Sequence, residues 1–210
     1  MLGNGSPDTF DLDVSITNSG TNHFYLGNNS AGNLISGNLT ATNTATGAAN
    51  YIYLSNGASS SLDITGNVSI INSGSASDLR TYLGNSGDVT FSGDLSITNS
   101  TNSASGQTFL ADDALSVVSV SGNTIATNSG AGTIKRIYLG NDGSVSFGGD
   151  LTLSNSNTAT TGEFYVGDGS ASIITIVGNT TLTNDGSGTT RRTWLGNAGD
   201  VSFGGSLSIK

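Results

Sequence analysis

The sequence predicts an all-β fold, a β-solenoid of about seven to eight coils with roughly 28 residues in each coil. One observation is a corner motif, Tyr-Leu-Gly-Asn and its variants, that recurs along the whole chain. Another is that the segments between corners alternate apolar and polar residues, as strands with one buried face do. The aliphatic residue of the corner lies at Leu26, Leu54, Leu83, Leu110, Leu139, Val166 and Leu195.

The corners belong to a double repeat. Closely similar phrases begin at residues 81, 137 and 193, so they are 56 residues apart, and each is followed by a second, related half of about 28 residues. Such a half is too short to form a domain alone, but stacked copies bury a continuous core. We therefore expect residues 1–210 to form one repeat array. Because neither end has a polar capping repeat, we also expect the array to be a piece of a longer one.

Each coil should contain a corner strand and two further short strands. In the copy that begins at residue 137, the residues expected to point inward are Val145, Phe147, Leu151 and Leu153. The two runs meet at Gly149, where a bend in the backbone costs least. Ser/Thr/Asn-rich stretches then return the chain to the next corner. A propeller with 56-residue blades is less favoured because the two halves resemble each other closely, and a trimeric fibre with a shared core stays open.

Composition restricts the function. The chain carries 15 acidic and 6 basic residues, for a net charge of −9, which disfavours nucleic acid as a partner. No apolar run is long enough for a transmembrane helix. With one His, one Glu and no Cys, no catalytic triad or zinc site can be assembled, and we expect neither an enzyme nor a cofactor. Asp112 and Asp113 could bind Ca²⁺ weakly, although a solvated turn is the simpler interpretation.

Two columns of side chains should run along the stack, because residues one coil apart lie about 4.8 Å from each other. The asparagine column is expected to be a structural ladder in which each amide bonds to the next coil and to turn backbone. It contains Asn18, Asn43, Asn72, Asn99, Asn128, Asn155 and Asn184. The aromatic column contains Tyr25, Tyr53, Tyr82, Phe109, Tyr138, Tyr165 and Trp194.

The alternation does not determine which way the aromatic rings point. If the Leu row points inward, the rings form an outer stripe that could hold surface glycans; if the rings point inward, they stack in the core. We expect a structural role. Outward Ser/Thr pairs such as Thr152 and Ser154 resemble the arrays of ice-binding solenoids, but Ile71 and Ile125 interrupt them. Arg80, Arg136 and Arg192, with Lys135 and Arg191 beside them, are expected to be surface charges that keep strand edges from pairing.

The corner motif and the low-charge, Ser/Thr/Asn-rich stretches, taken over the whole chain, resemble the β-strand-repeat segments of long bacterial surface proteins, the haemagglutinin-like and autotransporter-like adhesins. This resemblance implies export to the cell surface and a role as the shaft of an extracellular fibre, with neighbouring repeats or further copies stacked end to end as partners. Residues 143–153 and 178–184 also resemble shaft segments of phage tail fibres, which would make the protein trimeric. Ice binding and glycan binding are the less favoured alternatives.

Overall fold

The computed structural model describes residues 2–210, which form 24 short β-strands and no helix. In chain order the strands are β1 Leu2–Asn4, β2 Thr9–Phe10, β3 Val14–Asn18, β4 Phe24–Asn28, β5 Asn33–Ile35, β6 Leu39–Asn43, β7 Asn50–Asn56, β8 Ser61–Ile64, β9 Val68–Asn72, β10 Asp78–Asn85, β11 Asp88–Phe91, β12 Leu95–Asn99, β13 Ser105–Leu110, β14 Val117–Val120, β15 Thr124–Asn128, β16 Ile134–Leu139, β17 Ser144–Phe147, β18 Leu151–Asn155, β19 Thr161–Val166, β20 Ile173–Ile176, β21 Thr180–Asn184, β22 Thr190–Leu195, β23 Asp200–Phe203 and β24 Leu207–Ile209.

Three parallel sheets of eight strands each enclose the interior. The first sheet takes every third strand from β1, the second from β2 and the third from β3, so each coil gives one strand to each sheet. Corner residues pair in register, as Leu54 does with Leu83 and Leu110 with Leu139. The predicted all-β solenoid of eight coils is confirmed, and one chain builds it.

The interior is filled by the inward residues of all three sheets, as the alternation predicted. Val145, Phe147, Leu151 and Leu153 are all buried, and Phe147 lies in register with Val120 below and Ile176 above. Each apolar side chain therefore packs against its equivalents in both neighbouring coils. A row of this kind loses its water-accessible surface only when coils stack, which makes stacking the source of stability.

The glycine at the bend between the second and third sheets has a different role from the one expected. We expected Gly149 to supply an easy bend, but its φ lies outside the left-handed region. A Cβ placed on it would lie 2.6 Å from the carbonyl oxygen of Gly122, one coil below. Glycine is required here because two backbones approach closely, not because of an unusual dihedral angle.

The corner that follows the first sheet does use the left-handed region. Gly84 and Gly140 have φ of 75° and 70°, and the same column keeps a positive φ where Ser55 (58°) and Ala111 (52°) replace glycine. An L-residue in this conformation costs about 1 kcal/mol or more. The fold therefore imposes the corner geometry even where the sequence departs from glycine.

Within residues 2–210, no helix has the length and apolar character needed to cross a membrane.

Candidate functional site

The aromatic column forms a continuous stack on the first sheet. Ring centroids of Tyr82 and Phe109 are 4.8 Å apart, and those of Phe109 and Tyr138 are 4.7 Å apart, with interplanar angles of 6° and 4°. The stack runs from Tyr25 to Tyr165 at this spacing and loosens to 6.3 Å at Trp194. The column thus follows the strand spacing of the sheet, ring face on ring face.

The rings lie on the outer face of the solenoid. Leu83 and Leu139, adjacent to the rings in sequence, are fully buried in the core, so the aromatic side chains must point the other way. The three middle rings are nevertheless only 7–8% exposed, because each is covered on both faces by its neighbours. Along the middle of the column, only the ring edges can therefore contact a ligand. Trp194, at 36% exposed, is more open than these three rings.

Cationic side chains lie beside the rings. The guanidinium of Arg80 is 5.3 Å from the ring centroid of Tyr51, and that of Arg192 is 5.7 Å from the ring centroid of Trp194.

The phenol groups of the column are shifted in pKa. Burial, and then the neighbouring Glu163, raise the pKa of Tyr165 to about 12. Burial likewise raises the pKa of Tyr138. These phenols are therefore protonated at neutral pH, which suits packing and hydrogen bonding and not proton abstraction.

The arginines alternate with other residues along the stack. Arg136 pairs in register with Gln107 on one side and Glu163 on the other, and its Nε lies 2.7 Å from a carboxylate oxygen of Glu163. Arg192 lies on the far side of Glu163, 3.9 Å from its other oxygen. We expected the arginines to protect strand edges, but β10 and β16 are paired on both sides. In these two coils no edge is open: Arg136 contacts Glu163 of the next coil, and Arg80 pairs with Asp78 of its own strand. Arg192 differs, because β22 is the last strand of the first sheet.

The asparagine column is buried, as expected for a structural ladder. Its five central members are 0% exposed, and Asn18 and Asn184 at the ends are half-buried. These five are Asn43, Asn72, Asn99, Asn128 and Asn155.

The hydrogen bonds of the asparagine column differ from the expected pattern. Asn155 donates to Asn184 Oδ1 of the next coil at 2.9 Å, but Asn72 donates to Thr81 Oγ1 within its own coil at 2.6 Å. Asn99 and Asn128 form no side-chain hydrogen bond with residues 2–210. The prediction that every amide bonds to the next coil is therefore wrong, because the amide of Asn72 bonds within its own coil and those of Asn99 and Asn128 have no partner in the described chain.

Lys135 was expected at the surface and is buried instead. It points inward from the first sheet, is 0% exposed, and has Gly106 and Gly162 as its in-register neighbours. Its Nζ donates to the carbonyl oxygen of Ser103 at 2.8 Å. Burial lowers the pKa of Lys135 to about 8. The two neighbouring glycines are the sequence signal that could have revealed it, since they leave room inside for one long side chain.

A second polar column, which we name the bend column, was not recognised in the sequence. Its members are Asp13, Asn38, Asn67, Asp94, Asn123, Asp150, Asn179 and Ser206. Each backbone N–H after the first donates to the side-chain oxygen one coil below; Asn123 N, for example, lies 2.8 Å from Asp94 Oδ1. Aspartate and asparagine serve equally here, because both present an acceptor oxygen.

A third polar column follows the corner motif. Asn56 donates to Asn28 Oδ1 at 2.7 Å, and Asn85 donates to Asn56 Oδ1 at 2.6 Å. Farther along, Asn141 donates to Asp112 at 3.0 Å. In this column and in the bend column no two aspartates occupy adjacent coils, so the carboxylates are separated by neutral amides. Alternation of this kind is a physical reason for a repeat of two coils instead of one.

The candidate calcium residues take part in local hydrogen bonds. Asp113 accepts from Ser86 Oγ at 3.0 Å and from Leu115 N at 3.3 Å, while Asp112 accepts from Asn141. Burial raises the pKa of Asp112. Among the residues that the structure describes, no group of three or more His, Cys, Asp or Glu side chains comes together to hold a metal ion. The turn interpretation agrees with these contacts.

The outer face of the third sheet presents two parallel columns of small polar side chains. Thr40, Thr152 and Thr181 are half-buried members of one column, which Ile125 interrupts with a 51% exposed side chain. Ile71 interrupts the other column. The hydroxyl array is thus regular in spacing but chemically mixed.

Comparisons with family models, with curated proteins and with solved structures find no match to this chain.

Proposed function

We propose that the chain is a non-catalytic shaft segment of an extracellular fibre, such as a bacterial surface adhesin. The observation that carries the proposal is the unbroken, in-register pairing of all three sheets through eight coils. Every coil is bonded to its neighbours by backbone hydrogen bonds and side-chain columns, and stacked rings join the second coil to those that follow. A load applied along the axis is then shared by many parallel contacts, which is what a spacer needs.

The side chains support a mechanical role more than a chemical one. Most of the distinctive residues repeat from coil to coil, whereas a catalytic site needs a singular arrangement. The aromatic rings cover one another, and the amide and carboxylate oxygens of the bend column bind backbone N–H groups of the next coil. The chemistry that these groups could offer is used to hold adjacent coils together.

Two measurements test this proposal: whether the chain lies on the cell surface, and whether added coils lengthen the fibre. In cells that produce the full protein, antibody against residues 2–210 should label intact, unpermeabilised cells. Insertion of a second copy of residues 81–136 should lengthen the fibre by about 10 Å, two coils at the strand spacing, with no loss of surface display. Label found only after permeabilisation, or an inserted copy that leaves the fibre length unchanged, would contradict the shaft proposal.

A phage tail-fibre shaft is the second candidate, and it would be trimeric. The enclosed core favours the first candidate, because the inward apolar residues of the described chain already pack against one another within a single chain. Sedimentation equilibrium distinguishes them. A mass near 21.0 kDa supports the solenoid shaft, and three times that mass supports the tail fibre.

A further inference from the structure

A shallow groove runs along the outside of the solenoid, beside the bend between the second and third sheets. It extends over four consecutive coils and has a volume of about 500 Å³. Its walls combine the bend column with the outer face of the third sheet. Its polar and apolar chemistry is carried by Asn67, Ser69, Asp94, Ser96, Asn123 and Ile125.

The sizes of the outward side chains explain why the groove lies in these four coils. Along one column of the third sheet, in register from coil to coil, Thr40 is followed by Ser69 and Ser96 and then by Ile125. Two adjacent serines create a depression, and the larger threonine and isoleucine close its ends. Beyond Ile125 the column continues with Thr152 and Thr181, and the groove stops.

The groove presents hydrogen-bonding groups that the fold has not used. Asp94 accepts the backbone N–H of Asn123 with Oδ1, which leaves Oδ2 without a partner in the described chain. Asn67 and Asn123 each use Oδ1 to bind the next coil, at 2.9 Å in both cases, and their Nδ2 groups donate to no residue of the described chain. Polar side chains thus follow one another about every 4.8 Å along the axis, with an amide or the carboxylate of Asp94 in one column and hydroxyls in the other as far as Ile125.

The charge and polarity of the groove indicate the class of ligand. Its lining has one carboxylate and no cationic side chain, so it disfavours phosphates and other anions. Mixed donors and acceptors match hydroxyl groups, which donate and accept at once. Ile125 is 51% exposed and offers an apolar surface at one end, suited to the C–H face of a sugar ring. A volume near 500 Å³ lies within the range of small-ligand sites, about 300 to 1,000 Å³.

We propose that this groove binds a short neutral oligosaccharide along the solenoid axis. Glycan recognition is therefore assigned to the serine-lined depression and not to the aromatic column, whose ring faces are covered. This inference goes beyond the shaft role and does not depend on it. A shaft that carries such a groove would contact carbohydrate along its side.

The first test uses the whole chain and an array of neutral di- to tetrasaccharides built from glucose, galactose and N-acetylglucosamine, with titration calorimetry for the best binder. Ser96→Arg should weaken binding about tenfold or more by filling the groove. Thr181→Arg is the matched control, because residue 181 lies in the same column outside the groove, and its affinity should stay within about twofold of the parent. Circular dichroism should show both variants folded.

A second pair of variants removes the carboxylate while keeping the fold. Asp94→Asn should weaken binding about tenfold, because a hydrogen bond to a charged acceptor is lost, whereas Asp150→Asn, two coils away, should have no effect. Asn67 and Asn123 already show that asparagine keeps the backbone bond at this column. Four outcomes would overturn the proposal: an array with no binder, equal losses from Ser96→Arg and Thr181→Arg, binding abolished by Trp194→Ala alone, or binding to basic peptides only.

Discussion

The close approach of backbones at the bend predicts that Gly149→Ala is strongly destabilising. The new Cβ would lie 2.6 Å from Gly122 O, and the same oxygen accepts the N–H of Gly149 at 3.2 Å. The two coils must separate locally, which weakens that hydrogen bond. Overpacking of this kind costs about 1–3 kcal/mol. Loss of the bond adds about 1 kcal/mol, so the free energy of unfolding should fall by roughly 2–4 kcal/mol.

Gly20→Ala is the matched control for the same chemical change. The nearest heavy atom to a Cβ at Gly20 is 3.8 Å away, and its φ is outside the left-handed region. That variant should be neutral or stabilised by up to about 1 kcal/mol, because alanine restricts the unfolded chain. Urea unfolding of both variants, followed by far-ultraviolet circular dichroism, measures the difference. A loss below about 0.5 kcal/mol for Gly149→Ala would refute the close-approach argument.

Three further predictions concern the polar and aromatic columns. The lowered pKa of Lys135, about 8 against 10.5 in the unfolded chain, means that the unfolded state binds more protons between these values. Stability should therefore rise as the pH increases from 7.5 to 9.5, and Lys135→Met should be more stable at pH 7 and should lose that rise. Tyr138→Ala loses two stacked rings of the aromatic column, whereas Tyr25→Ala loses one. Because each stacked pair contributes about 0.5–1.5 kcal/mol, Tyr138→Ala should reduce the free energy of unfolding more. Thermal unfolding followed by near-ultraviolet circular dichroism measures the difference. Asn155→Leu should cost about 1–2 kcal/mol more than Asn128→Leu in urea unfolding, because the Asn155 amide donates to Asn184 and accepts from Asn157, whereas the Asn128 amide has no partner in the described chain. Equal losses would show that these two bonds contribute nothing.

The solenoid could be predicted from the sequence because its two determinants are both periodic. The alternation of Val145 and Phe147 with polar residues indicates a buried face, and the 28-residue spacing of Leu54, Leu83 and Leu110 indicates which strands pair. Stacking then follows, since a single coil has no other means of burying its apolar row. The structure confirms these inward residues and the register between corners.

The orientation of the aromatic column could not be predicted, because both faces of the corner strand are buried. Thr81 and Leu83 face the core, while Tyr82 is covered from outside by its ring neighbours. Because this strand has no fully exposed polar row, the alternation of residue types does not indicate which of its faces points inward. The position of Lys135 was missed for a related reason: the adjacent Arg136 suggested a surface pair, and only the in-register glycines show which of the two points inward.

The groove could not be predicted from any single repeat. It depends on the sizes of four side chains that are distant in sequence and adjacent only after stacking, from Thr40 to Ile125. Periodic sequences draw attention to what every coil shares. The proposed binding groove lies where the coils differ.

The alternation of charged and neutral side chains has a consequence for how such a protein can change in length. Loss of the single coil that holds Gln107 and Asn123 would place Arg80 next to Arg136, and Asp94 next to Asp150, at about 4.8 Å instead of twice that distance. Loss or duplication of two coils between Arg80 and Arg192 keeps these arginines in alternate coils. Gene rearrangements that survive selection should therefore occur in multiples of 56 codons, and related fibres should differ in length by steps of about 10 Å.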